Sequence, residues 1–395
     1  MKKDFMFTSE SVTEGHPDKL CDQISDAIVD RFLEQEKNSR VSAECAVSTA
    51  VVFISARFAS SATVDFPNVA RKIIEQIGYG GHDFNARTCS VLTSLQELGR
   101  DERSCFDEGQ LSEEEIERIT ARNQATVFGF ACNQTPALMP LPIWLARKLS
   151  KRLAAVRRNG TLPYLTPDGK TQVGVEYRGG RVRRIHSVTI TAAQRSGAEP
   201  SLRRLRDDLR GAVIDAVFQD EAVKPDRRTE IFINPDGLFV TGGPSTHSGL
   251  TGRKNAIDTY GGYSRHSGTA LSGKDPTRID RVGAYVARYA AKNVVAAGLA
   301  DECEVQLSYS IGRSRPVSIQ VETFGSGRLP EEAIAKLLER NVDFRLAGII
   351  RQFRLRQLPA AKGGFFRRLA AYGHVGRTDM ELPWEATDKT LPLQG

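Results

Sequence analysis

Glu14-Gly15-His16-Pro17-Asp18-Lys19 runs straight into Leu20, Ile24, Ile28 and Phe32. The four apolar residues stand four apart, on one face of a helix. Pro17 suits a first helical turn, where its missing N–H costs nothing. The pattern predicts a helix over 19–33 that opens on a polar turn. Outward from it, strand-like and helix-like segments mix. Strands are expected at 46–53, 170–177, 187–191, 231–240, 305–310 and 317–321, where β-branched and aromatic residues gather. Helices are expected at 143–156, with Arg147, Lys148, Lys151 and Arg152 on its polar side, and at 201–218 and 330–339. Another covers 278–297, closed by Gly298. Strands and helices in mixed order favour an α+β fold over a doubly wound sheet.

Composition narrows the class. Of 395 residues, 40% are apolar and 26% charged, which excludes a disordered or collagen-like chain. No apolar run approaches the roughly 20 residues of a membrane helix. The N-terminus does not read as a secretory signal, so a cytoplasmic protein with no membrane partner is expected. The net charge of +7 suits nucleic acid, phosphorylated small substrates, or neither. The basic segment 353–368 contains aromatics, but ordinary folded structure is the better reading, and no nucleic-acid partner is expected. Cys21, Cys45, Cys89, Cys105, Cys132 and Cys303 form no C-x-x-C pair and read as thiols, not as disulfides or a zinc site.

Two segments read as boundaries. Residues 99–120 are strongly charged, with Ser112-Glu113-Glu114-Glu115 as a capping box for a short helix. Residues 220–228 precede a strand. The expected division is 1–99, a charged loop 100–120, 121–229, 230–377 and an irregular tail 378–395.

Four constellations carry chemistry. The first is 14–19, where a helix N-terminus offers free N–H groups and a positive dipole end to an anion. His16 can donate to a phosphate or ribose oxygen. Asp18 can hold magnesium or simply cap the helix, and spacing alone fits capping better. Asp22, Asp26 and Asp30 continue at four-residue spacing and read as a solvated or interfacial face. The second is Gly242-Gly243-Pro244 with Gly249-Leu250-Thr251-Gly252-Arg253-Lys254. Small residues let backbone approach a ligand, and Arg and Lys meet phosphate oxygens. The spacing is not that of a Walker A loop, and a Gly-rich hairpin is an equal reading. The third is Tyr260-Gly261-Gly262, then Ser272-Gly273-Lys274-Asp275-Pro276, Arg278, Asp280 and Arg281. Asp280 is a second magnesium carboxylate or a dipole-stabilising residue. The fourth, Thr166-Pro167-Asp168-Gly169-Lys170, reads as a turn. Together they describe a polyphosphate site. Lys170, Arg253, Lys254 and Lys274 supply cations, and Asp18 and Asp280 supply ligands for two magnesium ions.

These strings resemble the methionine adenosyltransferase (S-adenosylmethionine synthetase) family. Phe7-Thr8-Ser9-Glu10-Ser11-Val12, Asn159-Gly160-Thr161-Leu162-Pro163, Ala291-Lys292-Asn293 and residues 258–262 and 371–374 add to the match, which spans about 7 to 384. The resemblance implies three similar α+β domains related by pseudo-threefold symmetry. It also implies homodimers, often paired into tetramers, with active sites shared between subunits. In the family's reaction methionine sulfur attacks C5′ of ATP and displaces triphosphate, which is then hydrolysed to pyrophosphate and phosphate. The implied catalytic residues are His16, Lys170, Arg253 and Lys274. The implied ATP contacts are Asp168, Lys170, Phe239, Arg253, Lys254, Ala270 and Lys274. Asp18 and Asp280 are the implied ligands of two magnesium ions per site, and Glu44 that of potassium.

The sequence departs from the family on the co-substrate side. Arg57 stands where the family has a methionine-contacting Glu. Thr246-His247 replaces Gly-Asp, Asn123 replaces an Asp, Arg278 a Lys, and Leu238 an Arg. The family's gating loop is replaced by the charged stretch that follows Leu98. The co-substrate positions are then Arg57, Leu98, Asn123, His247 and Arg278. An ammonium beside Arg57 is repelled, so a sulfur-containing co-substrate without one is expected. The alternatives are an ordinary synthetase using methionine, and an impaired ATP-binding relative acting as a partner subunit. Retention of His16, Asp18 and Asp280 argues against the last.

Overall fold

A computed structural model describes residues 4–81, 84–99, 106–197 and 200–394. Among them twelve strands form three sheets. The first runs β1 (Phe5–Val12), β6 (Leu165–Arg178), β7 (Arg181–Gln194) and β8 (Glu230–Ile233), with β9 (Phe239–Val240) also on β7. The second runs β10 (Gly249–Leu250), β2 (Arg40–Ser48), β3 (Val51–Ala59) and β4 (Ser90–Glu97). The third runs β12 (Ser318–Glu322), β11 (Glu302–Tyr309) and β5 (Ala125–Cys132). The fold is α+β in three units, each a sheet backed by one long helix. Helix α1 (Pro17–Gln35) lies on β2 and β10, the helix Leu141–Arg158 on β6 and β1, and the helix Ile279–Ala296 on β5 and β11.

Each sheet packs one face because its strands alternate. Along β2, Val41, Ala43, Cys45 and Val47 are buried against α1, while Ser42 and Glu44 face outward. Each sheet also recruits a strand from a distant part of the chain. β1 pairs with β6, β10 with β2, and β5 with β11. The three units are thereby tied together by backbone.

Several expectations are corrected. Residues 46–53 are the two arms of a hairpin, β2 and β3, with Thr49 at φ 50° in the turn. Without Gly or Asn there, the turn left no compositional mark. Residues 166–170 are not a turn but the irregular start of β6, where pairing with β7 shifts register between Leu165 and Gly169. Residues 231–240 divide into β8 and β9 around Asn234 and Gly237, both at positive φ. The tail is irregular apart from the short helical pieces Pro383–Glu385 and Thr390–Gln394, yet it is packed into the core. Trp384 is fully buried and stacks on Tyr285 at 3.9 Å, and Glu385 pairs with Arg288 and Lys292.

The capping box at Ser112 is present and starts the helix Glu113–Arg118. Arg345 and Arg351 grip Glu113, and Arg315 grips Glu117. Residues 100–105 of that stretch, Cys105 included, lie outside the described residues. The other five cysteines are free and buried. The aromatics of 353–368 are core: Phe353, Phe365 and Phe366 are buried, and Arg281 lies over the Phe366 ring. Among the described residues no helix is long and apolar enough to cross a membrane.

Candidate active site

Helix α1 organises the site. His16, not Asp18, caps it: its Nδ1 accepts the Asp18 N–H at 3.2 Å. Asp18 is thereby released for other work. Its Oδ1 accepts the Leu250 N–H at 3.0 Å, and its Oδ2 meets Lys254 Nζ at 2.8 Å. Arg253 Nε lies 3.7 Å away on the exposed side. Burial works against the Asp18 charge, but Lys254 and the Leu250 N–H outweigh it and hold the carboxyl below its ordinary value.

The aspartates at four-residue spacing are not a solvated face. Asp22, Asp26 and Asp30 are all buried. Asp22 accepts the Gly252 N–H at 2.8 Å, and Asp26 accepts the Gly273 N–H at 2.8 Å. Asp30 accepts from Phe366 and Arg367. Three of the four rungs carry a cation: Lys254 on Asp18, Lys19 on Asp22, and Arg281 bidentate on Asp26 at 2.7 and 2.9 Å. Burial works against the Lys19 charge, but Asp22 and Asp258 outweigh it and raise its pKa above the ordinary lysine value. The stripe is a buried ladder that fixes the loops 249–254 and 272–275 to one helix. The signal for it was the i, i+4 spacing itself. What hid it was that buried carboxylates are rare unless paired.

Glycine is required where these loops touch. A Cβ on Gly249 would fall 2.2 Å from the Pro17 backbone. Gly252 sits at φ 82°, its absent Cβ 2.4 Å from that of Ala270. This places Ala270 directly behind the Arg253-Lys254 loop.

The expected site residues fall into two groups. On the α1 side, Asp168 is buried in β6 and accepts the Gly243 N–H at 2.8 Å and a 3.1 Å contact from His247 Nε2. The His16 and His247 rings lie 4.9 Å apart. Burial, with Lys254 and His247 adding to it against Asp168 and Asp18, lowers the His16 pKa to about 3, so the ring is neutral at working pH. Lys170 is exposed on β6 opposite Val12 and Thr191. Phe239 is half-buried beside Ala193.

The second group surrounds Asp280, at the start of the helix Ile279–Ala296. Asn123 Nδ2 donates to both Asp280 oxygens at 3.3 and 3.2 Å, and Lys274 Nζ is 3.8 Å away. Burial lowers the Lys274 pKa, with Asp280 opposing. Lys274 is bridged to Ser42 of β2. Glu44 is exposed two residues further on, and Arg57 is exposed on β3 opposite Ser42. Leu98 is half-buried and donates its N–H to Phe58. A cavity of about 290 Å³ beside Asn123 is lined by Arg40, Phe106, Arg118, Arg122 and Arg278. Among the described residues the Nε of Arg278 is buried without a partner. Sequence reading missed Arg40, Arg118 and Arg122, which come from two separate segments. Among the described residues no side chain pairs with both Asp18 and Asp280; α1 links the groups through the loops it anchors.

Asp18 and Asp280 fit the donor type a hard divalent cation takes, each a buried carboxylate facing a lysine. The arrangement as a whole presents fixed cations at two Gly-rich loops, the equipment for holding and expelling a polyphosphate.

Comparison with known proteins agrees. The S-adenosylmethionine synthetase N-terminal, central and C-terminal domains match residues 4–99, 118–239 and 241–386. The S-adenosylmethionine synthase of Gloeothece citriformis (strain PCC 7424) is 49% identical over 407 residues, covering 100% of this chain and 97% of its own length. That of Trichormus variabilis (strain ATCC 29413 / PCC 7937) is 51% identical over 403 residues, covering 98% and 96%. That of Synechococcus sp. (strain JA-3-3Ab) is 51% identical over 402 residues, covering 98% and 97%. Three matched domains and near-complete coverage show that the chain belongs to the S-adenosylmethionine synthetase family and is an adenosyltransferase.

Proposed function

We propose that this chain makes S-adenosylmethionine from ATP and L-methionine, the methionine sulfur displacing triphosphate from C5′, and then splits the triphosphate to pyrophosphate and phosphate. The observation that carries the reading is the Asp18–Lys254–Arg253 cluster on a helix N-terminus, within a chain half identical to synthases over its whole length. A thioether sulfur has no proton to lose, so the first step needs no general base. The barrier lies in the charge of the leaving group, which preorganised cations meet without reorganising. Lys170, Arg253, Lys254 and Lys274 play that part. His16, neutral, stands where a ring N–H can reach the ribose–triphosphate oxygen. Asp168, Phe239 and Ala270 line the nucleotide's place. Asp18 and Asp280 would hold two magnesium ions, and Glu44 a potassium ion; bound cations offset charge on the leaving oxygens. The outer face of the second sheet exposes Val51, Phe53 and Leu92, at 41%, 42% and 55%. That apolar face suits a second copy of the chain, with the Asp280 group of one subunit completing the Asp18 group of the other. The enzyme then works as a cytoplasmic homodimer or a tetramer of such dimers.

A second reading keeps the ATP chemistry and changes the co-substrate to a sulfur-containing acid without an ammonium group. What favours it is specific. Arg57 is exposed on the face beside Glu44, the Asn123 amide is spent on Asp280, and arginines line the neighbouring cavity. The likeness to methionine-named synthases favours the first reading. Mass spectrometry of products from ATP, magnesium and potassium, with methionine or a deaminated thioether acid, separates them. S-adenosylmethionine with pyrophosphate and phosphate supports the first reading. An adenosylated acid, with no product from methionine, overturns it.

A further inference from the structure

The cavity of about 290 Å³ beside Asn123 is lined by charges of one sign. Arg40, Arg118, Arg122 and Arg278 reach it from three stretches of chain, and among the described residues no Asp or Glu lines it. Neighbouring arginines are built differently. Arg315 pairs with Glu117, Arg345 and Arg351 with Glu113, and Arg356 with Glu108. Among the described residues Arg118, Arg122 and Arg278 have no such carboxylate. The buried Nε of Arg278 lacks an acceptor, a cost that a ligand oxygen removes. Arg278 also stands at the N-cap of the 18-residue helix Ile279–Ala296, which no side chain caps. Thr277 and Ile279 line the cavity with it, so the positive dipole end of that helix opens at the same place. Like charges gathered around one cavity repel, and an anion between them turns that repulsion into attraction. A single carboxylate offsets one guanidinium of the four. An anion with two charges accepts paired N–H bonds from two or more of them.

We propose that this cavity binds a small dianion of the phosphate or dicarboxylate kind, held by Arg40, Arg118, Arg122 and Arg278. It is separate from the triphosphate cations Lys170, Arg253, Lys254 and Lys274, none of which lines it. Two sources supply such an anion: phosphate released by the enzyme's own reaction, and an independent dicarboxylic acid. The site holds under either reading of the co-substrate, because methionine and a monocarboxylic thioether acid both lack the second charge. The competing explanation is that solvent alone screens the arginines.

The test uses the full-length protein with its nucleotide site filled by magnesium and a non-hydrolysable ATP analogue. Orthophosphate, succinate and acetate are each titrated by calorimetry at one ionic strength. One equivalent of a dianion is expected, with acetate about tenfold weaker and the dianion about tenfold weaker in Arg118→Gln and in Arg122→Gln. Both side chains are exposed, so the variants should fold, and thermal melts check this. Arg203→Gln, an exposed arginine that does not line the cavity, should bind like the parent. Orthophosphate as the tighter ligand assigns the site to the reaction's product, and succinate as the tighter ligand assigns it to a dicarboxylic acid. No saturable equivalent of either dianion, acetate binding as tightly, Arg118 and Arg122 variants that bind like the parent, or an equal loss in Arg203→Gln would each overturn the site.

Discussion

The Asp18 group and the Asp280 group are built from similar residue types but held differently. Asp18 and the lysine beside it are tied into α1. The carboxylate takes a backbone N–H and a lysine, and the rung below it takes another N–H and another lysine. Around Asp280 the nearest partners are an amide and a lysine at 3.8 Å, and the flanking arginines line an open cavity. The Asp18 half, proposed to face the nucleotide, shares its charges with the fold. The other half can be altered without unpicking the core, and it holds four of the five positions expected on the co-substrate side. Expelling triphosphate demands fixed charges; accepting a sulfur nucleophile does not.

That contrast breaks most visibly at the ladder. Asp26→Ala leaves the buried Arg281 without its carboxylate and orphans the Gly273 N–H. Removing one member of a buried ionic set costs about 3–5 kcal/mol. Chemical denaturation should show that loss, while Arg57→Ala on the exposed face should stay within about 0.5 kcal/mol of the parent. Equal effects would mean the two halves are equally integrated.

The next effect is on turnover. Lys254→Ala removes a fixed cation from the leaving group and should cut kcat by about 10²–10³-fold with a smaller change in KM for ATP. A change confined to KM would place Lys254 in ground-state binding alone. On the other side, Arg57→Glu removes a like charge from the expected path of an ammonium. It should lower KM for methionine about tenfold, or roughly 1.4 kcal/mol, and leave KM for ATP alone. An unchanged methionine KM would show that Arg57 does not face the co-substrate.

The same contrast explains what could be read in advance. The helix that opens at Pro17, the Gly-rich loops and the cations they carry were legible, because each rests on local chemistry: a first-turn proline, close backbone approach, adjacent Arg and Lys. The burial of Asp22, Asp26 and Asp30 was not. Their meaning depends on N–H groups of Gly252, Gly273 and Phe366, more than 200 residues away in sequence. The hairpin at Thr49 was missed for the opposite reason, since its turn uses no turn-forming residue. The arginine-lined cavity draws on segments around 40, 118–122 and 278, which no local window brings together.

The smallest effect tests the end of the ladder. Asp30 is held, among the described residues, by the N–H groups of Phe366 and Arg367 with no ion-pair partner. Burial raises its pKa to about 8 despite those two bonds, with Asp26 adding to the rise. Between about pH 4 and 8 the folded chain therefore keeps a proton that the unfolded chain has released. The unfolded state binds fewer protons, so stability falls as pH rises through that window, by up to about 1.4 kcal/mol per pH unit. Asp30→Asn keeps an acceptor for both N–H groups and has nothing to ionise. Between pH 6 and 7 the parent should lose about 1 kcal/mol relative to this variant in denaturant melts. Parallel profiles would mean that Asp30 is ionised in the fold. Two backbone N–H groups would then suffice to hold a buried charge, and the cations on the upper three rungs would not be what keeps their carboxylates ionised.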